Sequence, residues 1–385
     1  MAQHDRFPTI LQVLPALGAQ GGVERGCVDV AAAIVRAGGR AIVASAGGPL
    51  TPVLEASGAR HERLPLESKN PAAMAANAWR LAALVRRHGV DVVHARSRAP
   101  AWSAWVAARR SGCPFVTTFH GTYGAGNPMK RRYNSIMTRG RPVIAISRFI
   151  AAHIQSVYGL SERHIRIIHR GADIGAFAPE RVSPERVAAL AARWGLRDGA
   201  PLVLLPGRLS RWKGQAVLIE AMARVGRRDV RTVILGDHQG RVDYHRELQD
   251  LIVRHGLGEQ VLIIGHCDDM PAAYRLADVV VSASIEPEAF GRVAVEAQAL
   301  GRPVIATDHG GARETVIEGE TGWLTPPGDA AALAAALERA LALGGHERAR
   351  MAETAIAHVR ANFTNDVMCR KTLAIYREAA GGRRA

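Results

Sequence analysis

A chain of 385 residues is longer than one ordinary core organises, so two domains are expected. Apolar residues at 48% and charged residues at 22% exclude a disordered chain, and no apolar run reaches the roughly 18 residues that would cross a bilayer. The net charge of +15 is uneven: residues 1–178 hold 23 Lys and Arg against 9 Asp and Glu, whereas 179–385 hold 27 against 26.

In chain order, apolar strands are predicted at 7–14 and 40–45, with an Ala-rich helix from Glu24 to Ala37 between them. The turn into that helix is Gly21-Gly22-Val23-Glu24. Strand and helix pairs follow at Val90–His94 and Ala99–Arg110, Phe115–Phe119 and Met129–Arg139, and Val143–Ile146 and Phe149–Tyr158, before a strand near Ile165–Ile168. Pro179 to Asp198 reads as a polar, helix-forming connector. A second series begins at Leu202–Leu205 and runs through helix 214–225, strand 232–235, helix 243–255, strand 261–264, helix 270–276 and strand 279–282. Helix 291–300, strand 304–307 and helix 330–343 complete it, and Gly322-Trp323-Leu324 reads as turn punctuation. Such alternation implies an α/β fold with two parallel-sheet, Rossmann-like domains, 1–180 and 181–364. A last helix at 365–380 is expected to pack back on the first domain. Ligands in such folds bind beyond the C-terminal strand ends, so a cleft between the domains is the expected site.

The densest chemical signal lies at 284–303. Glu288 and Glu296 flank Gly291, where a loop turns into a helix whose free N–H groups suit phosphate. At helical rise the two carboxylates stand on the order of 10 Å apart, the span of a nucleotide-sugar. After the first strand of the second domain, Arg208 and Lys213 bracket a Gly-rich loop, and two cations so placed can neutralise a diphosphate. His120 ends a strand of the first domain and is aimed at the same ligand. Walker A, G-x-G-x-x-G, HExxH, G-x-S-x-G and Asp-x-Asp patterns are absent, and 15 His and 4 Cys show no ligand spacing, so neither metal nor cofactor is expected.

Taken together, Gly207-Arg208…Lys213-Gly214, Glu288-Ala-Phe-Gly…Glu296-Ala, Gly301-x-Pro-Val-Ile-Ala-Thr, Gly310-Gly311-x-x-Glu314 and Gly319-x-x-Gly322 resemble the retaining GT-B glycosyltransferases of family 4, the group 1 transferases. Gly21-Gly22-Val-Glu24, His120-Gly121 and Ala145-Ile-Ser147 extend the resemblance through the N-terminal half. It implies that Arg208 and Lys213 hold the donor diphosphate, Glu296 the ribose and Glu288 the hexose. Backbone at Phe290, Gly291, Arg292 and Val293 would reach the phosphates, His266 would border the base, and His120 would stand near the sugar and β-phosphate. Gly21 and Gly22 would lie under phosphate or acceptor. Two departures stand out: Ala289 replaces a usual Gly, and His169-Arg170-Gly171-Ala172-Asp173 stands where many members read Pro-Asn-Gly-Val-Asp.

The expected activity is metal-independent, retaining transfer of a hexose from a nucleotide-diphosphate sugar, a UDP-sugar, to a lipid-linked or lipopolysaccharide-core acceptor. The basic first half then docks on an anionic membrane, which places the chain in the cytoplasm at the inner membrane face, consistent with scattered cysteines and no secretory layout. Competing readings are a nucleotide-sugar epimerase, a phosphorylase and a non-catalytic nucleotide-sugar-binding protein. Aromatics at 5% give no stacking surface for nucleic acid, which is not expected as a partner.

Overall fold

The structure, a computed structural model, describes residues 6–18, 22–124, 126–196 and 199–382. In chain order its elements are β1 (Ile10–Val13), α1 (Gly22–Arg36), β2 (Ala41–Ser45), α2 (Thr51–Ala56), β3 (Arg60–Arg63), α3 (Pro71–His88), β4 (Val92–Ala95), α4 (Arg98–Arg110), β5 (Phe115–Phe119), α5 (Pro128–Asn134), β6 (Val143–Ala145), α6 (Arg148–Tyr158) and β7 (Ile165–Ile167). They continue with α7 (Pro184–Arg193), β8 (Leu202–Pro206), α8 (Gln215–Met222), β9 (Arg231–Leu235), α9 (Val242–Arg254), β10 (Val261–Ile264), α10 (Met270–Leu276), β11 (Val279–Ser282) and α11 (Arg292–Ala299). The last are β12 (Val304–Thr307), α12 (Ala312–Thr315), β13 (Gly322–Thr325), α13 (Ala330–Leu341), α14 (Gly345–Asn362) and α15 (Asn365–Gly381).

These elements form two compact units. One runs to Gly171 and resumes at Asn365; the other spans Ala172–Thr364, so the division falls ahead of the residue 180 read from the sequence. The first unit's sheet has the order β3-β2-β1-β4-β5-β6-β7 and the second's the order β10-β9-β8-β11-β12-β13. Each pair of neighbouring strands is parallel. Parallel sheets need cover on both faces, which is why strands such as Leu202–Pro206 are apolar at successive positions instead of alternating. In each sheet the winding direction reverses at the first strand, between β1 and β4 and between β8 and β11. Loops diverge there and open a crevice at the C-terminal strand ends.

Local signals set the helix boundaries. Asn70 caps α3 by accepting from the Ala72 and Ala73 amides, Pro71 begins it, and Gly89 ends it in the left-handed conformation at φ 56°. The helix expected at Met129–Arg139 is instead α5 followed by a 3-10 turn over Ser135–Arg139. The Gly322–Leu324 segment is not a turn but β13, paired with β12 from Val304↔Gly322 to Thr307↔Thr325.

The last helix, α15, belongs to the first unit. Its Met368, Cys369, Ile375 and Tyr376 join the buried cluster built by Ile10, Leu14, Cys27 and Ile34. The Tyr376 hydroxyl lies 2.6 Å from His94 Nδ1, and His94 Nε2 lies 2.8 Å from Thr118 Oγ1. Both ring nitrogens of a fully buried histidine in β4 are thereby satisfied, and α15 is tied to β4 and β5. Burial, with Arg96 nearby, holds the His94 pKa well below the ordinary imidazole value, so the ring is neutral.

Candidate active site

In the second unit, β8 and β11 lie side by side in the register Val279↔Val203 and Val280↔Leu204, so the loops that follow them leave together. The β8 loop ends in a 3-10 turn, Arg211–Lys213, and Gly214 then starts α8 at φ 72°. A side chain at 214 would place its Cβ 1.9 Å from the Ala283 carbonyl oxygen, so only glycine lets the two loops touch. The Ile285 amide donates to the Trp212 carbonyl at 2.7 Å and fastens the contact.

That fastening delivers Lys213 to Glu288. Lys213 Nζ donates to Glu288 Oε1 at 2.7 Å, and the Ser284 hydroxyl at 2.5 Å and the Ser282 hydroxyl at 3.4 Å converge on the same oxygen. Among the described residues no donor reaches Oε2, so one carboxylate oxygen is held and the other is free to accept from a ligand. Burial pushes the Glu288 carboxyl up, but the Lys213 ammonium and the two serine hydroxyls outweigh it and leave the pKa below its usual value. The group is a carboxylate at neutral pH. Lys213 also lies 4.4 Å from the Trp212 ring centroid, which steadies its long stem.

Gly291, at φ 85°, begins α11 in a conformation that disfavours other residues. The helix then buries Glu296 at 8% exposure. Glu296 Oε1 accepts from Arg292 Nη2 at 2.6 Å and Nε at 3.1 Å, and Oε2 accepts from the Tyr274 hydroxyl at 3.0 Å. The Phe290 side chain is buried and packs edge-on against Phe363 with ring centres 5.7 Å apart, so only its backbone can face a ligand. Val293 is half-buried beside the core.

The loop after β12 packs over this segment. The Gly311 amide donates to the Glu288 carbonyl at 2.8 Å, and the Thr307 hydroxyl to the Ser284 carbonyl at 2.7 Å. His309 in that loop has both ring nitrogens buried and without a hydrogen-bond partner among the described residues. Sequence reasoning missed His309, Tyr274, Ser282 and Ser284; His309 precedes the Gly310-Gly311 motif and Ser284 opens the 284–303 stretch, but neither carries a signal of its own.

Not every expected residue joins the cluster. The Arg208 side chain is exposed and points to Gln239, with Nη1 3.4 Å from Oε1, while its carbonyl is held by Gln215 Nε2 at 3.0 Å. His266 follows the edge strand β10 and pairs at the surface with Asp268 at 2.8 Å. Neither bonds to Glu288, Lys213 or Glu296 among the described residues.

In the first unit, His120 stands at the end of β5. Its Nδ1 is 3.0 Å from Arg170 Nη2, and its amide donates to the Tyr123 hydroxyl at 3.4 Å. Burial, then Arg170, Arg96 and His94, hold the His120 pKa well below the imidazole range. Gly22 begins α1 and borders the pocket that contains His120. Gly21 lies outside the described residues.

Two parallel sheets, each with its crevice at a winding reversal, are the GT-B architecture, the fold of nucleotide-sugar transferases. The profile described as glycosyl transferases group 1 matches residues 188–358, and that described as glycosyltransferase family 4 matches residues 20–175. A D-inositol 3-phosphate glycosyltransferase of Xylanimonas cellulosilytica is 33% identical over 77% of this chain and 73% of its own length. A glycosyltransferase structure from Rickettsia africae is 37% identical, covers 98% of this chain and 99% of its own, and superposes with a TM-score of 0.90. The Anabaena Alr3699/HepE structure in complex with UDP is 27% identical over 96% of this chain and 100% of its own, with a TM-score of 0.84. The chain belongs to the group 1 glycosyltransferases, family 4, enzymes that use nucleotide sugars.

Proposed function

We propose that this enzyme transfers a hexose from a UDP-sugar, with retention of anomeric configuration and without a metal, to an anionic acceptor at a membrane surface. The observation that carries the reading is the Lys213–Glu288–Ser284 cluster, in which one Glu288 oxygen is fixed by protein donors and the other is open. Glu288 Oε2 accepts from a sugar hydroxyl, Glu296 from the ribose hydroxyls, and the backbone from Phe290 to Val293 donates to phosphate at the start of α11. His266 backbone borders the base, Gly21 and Gly22 the phosphate or acceptor, and His120 donates to a substrate oxygen.

In the reaction the bond from the anomeric carbon to the diphosphate oxygen breaks first. Lys213 and Arg208 stabilise the charge that develops on the departing diphosphate, the role a divalent ion takes in other transferases. The acceptor oxygen bonds to the anomeric carbon on the face the diphosphate leaves, and its proton passes to a phosphate oxygen. Similarity to an Anabaena protein solved with UDP-glucose, at 26% identity, supports the choice of donor. The test is transfer from a panel of radiolabelled UDP-, GDP- and ADP-sugars into membrane extract. Label incorporated from a UDP-hexose is expected. Hydrolysis or epimerisation without transfer would assign the site to another reaction.

The acceptor is proposed to be a lipid-linked glycan or a lipopolysaccharide-core intermediate. The relatives named for D-inositol 3-phosphate favour a second reading, a soluble phosphorylated polyol, and the same assay run with and without membranes separates the two. Support for the membrane comes from the first unit's surface. Trp79 is 59% exposed with the Arg110 guanidinium 3.8 Å from its ring centroid, and Met129 is 79% exposed beside Lys130, Arg131 and Arg132. Apolar tips among cations suit the interface of an anionic bilayer, at about 1 kcal/mol per basic residue. Co-sedimentation with phosphatidylglycerol vesicles is expected to fall steeply with salt, and to fall about fivefold when Lys130 alone becomes Ala. Equal binding to neutral phosphatidylcholine vesicles would reject the docking surface.

A further inference from the structure

The contact between Arg170 and His120 lies within the first unit, involves none of Lys213, Glu288 and Glu296, and bears on the role proposed for His120 in transfer. Arg170 Nη2 is 3.0 Å from His120 Nδ1. A guanidinium has only donors and keeps its charge at any pH a protein tolerates. Nδ1 must therefore be the acceptor, carrying a lone pair and no proton. The ring proton then sits on Nε2, and the imidazole is neutral. His120 Nε2 is buried and has no hydrogen-bond partner among the described residues. It borders a small pocket with Arg96, Thr118, Arg170, Met368 and Thr372 at the C-terminal strand ends.

We infer that Arg170 is a positioning residue that locks His120 as a neutral Nε2–H donor, aimed at an acceptor oxygen of the bound substrate. A buried N–H without a partner is costly, and an oxygen arriving with substrate would satisfy it. The opposite tautomer would turn a lone pair on that oxygen and repel it.

The surroundings act in the same direction. Arg96, just past the end of β4, is buried, and its Nη1 donates to the neutral Gln12 Oε1 at 2.9 Å. His94 in β4 is neutral and fully bonded. Tyr123, after β5, meets the His120 amide with a hydroxyl whose pKa is raised, first by burial. The pocket-lining residues of α1 and α15, Gly22, Gly26, Met368 and Thr372, carry no charge. The cations facing His120 are thus Arg170 and Arg96, and burial and both of them lower its pKa. Arg170 stands where many family members carry Asn, a side chain too short to span the same gap, so the lock belongs to this chain and those that share its arginine.

The experiment uses the full chain labelled with 15N-histidine, with His120 assigned through His120→Gln. In the wild type, His120 is expected to show a bare Nδ1 and a protonated Nε2 that do not titrate in the ordinary imidazole range. Arg170→Met should free Nδ1 to take up a proton and raise the His120 titration against the burial that remains, and Arg170→Lys, which restores a cationic donor, should reverse most of that change. The activity arm alone rests on the transferase reading. Wild-type kcat/KM should carry no His120 limb on the acid side. That of Arg170→Met should fall about tenfold per pH unit below the midpoint seen by NMR, because a charged ring is disfavoured in the buried pocket and leaves its place. A proton on Nδ1 in the wild type, or an unchanged His120 titration in Arg170→Met, would overturn the lock. A changed titration with an unchanged pH profile would overturn the positioning role. Absence of transfer by the wild type would instead count against the transferase reading, leaving the NMR result to stand by itself.

Discussion

Lys213→Ala is expected to lower turnover by about 10²–10³-fold while donor binding weakens less, because the ammonium acts most strongly on charge that appears as the diphosphate departs. The substitution has a second consequence. It strips the Glu288 carboxylate of its ammonium while leaving it buried. Removing one partner of a buried ion pair costs about 3–5 kcal/mol. With Lys213 present the Glu288 pKa is depressed, so the pair stabilises the fold above the ordinary carboxylate pKa and that contribution fades as pH falls through the depressed value. Without Lys213, only the two serine hydroxyls oppose burial and the pKa rises. The single variant should therefore melt lower at neutral pH and recover part of the loss toward pH 5. Lys213→Ala combined with Glu288→Gln removes the stranded charge, and it should regain melting temperature without regaining turnover. Transfer within threefold of the wild type in either variant would take Lys213 out of the chemistry.

Glu296→Ala should act on binding, with the donor KM raised about 10–100-fold and a smaller change in kcat, as expected for lost charge-assisted hydrogen bonds to a ribose. Both Glu296 oxygens already accept from protein, one from Arg292 and the other from the Tyr274 hydroxyl. Those bonds fix the carboxylate: Oε1 takes both Arg292 N–H groups, and Oε2 keeps a second lone pair for the sugar. A structural role for this network would also raise KM, so the ribose itself is the better probe. Replacing UDP with 2′-deoxy-UDP should weaken binding to the wild type about tenfold and to Glu296→Ala hardly at all. Equal losses in both proteins would place the ribose elsewhere.

Much of the architecture is legible in the sequence because the strands of a parallel sheet are buried on both faces and read as apolar runs. The stretch 46–89 receives no element from that reading, and β3 within it shows why. An edge strand of Arg60-His61-Glu62-Arg63 has no apolar period and is defined only by its register with β2. β13 reads as a turn because Gly322 opens it, yet that glycine lets the chain pass where a Cβ would lie 2.1 Å from the Val304 carbonyl oxygen.

At the site, each of Lys213, Glu288 and Glu296 can be singled out from local spacing and resemblance. The pairing of Lys213 with Glu288, 75 residues apart, depends on β8 and β11 being neighbours, which only the sheet reveals. Tyr274 sits in no motif, and Ser284 opens the 284–303 stretch without a spacing that marks it. Arg170 is visible in the sequence only as a departure, and its partner, 50 residues away, is supplied by the fold.

The return of α15 to the first unit gives the chain an order of completion. The second unit, Ala172–Thr364, has every strand and helix it needs before the last helix is synthesised. The first unit does not, even though seven of its strands precede the second unit in sequence. Until Tyr376 arrives, His94 keeps a bare nitrogen and the face of α1 around Cys27 is open. The half of the protein made first is thus the half finished last, and a ribosome that stalls before Asn365 releases a chain with one closed core and one exposed.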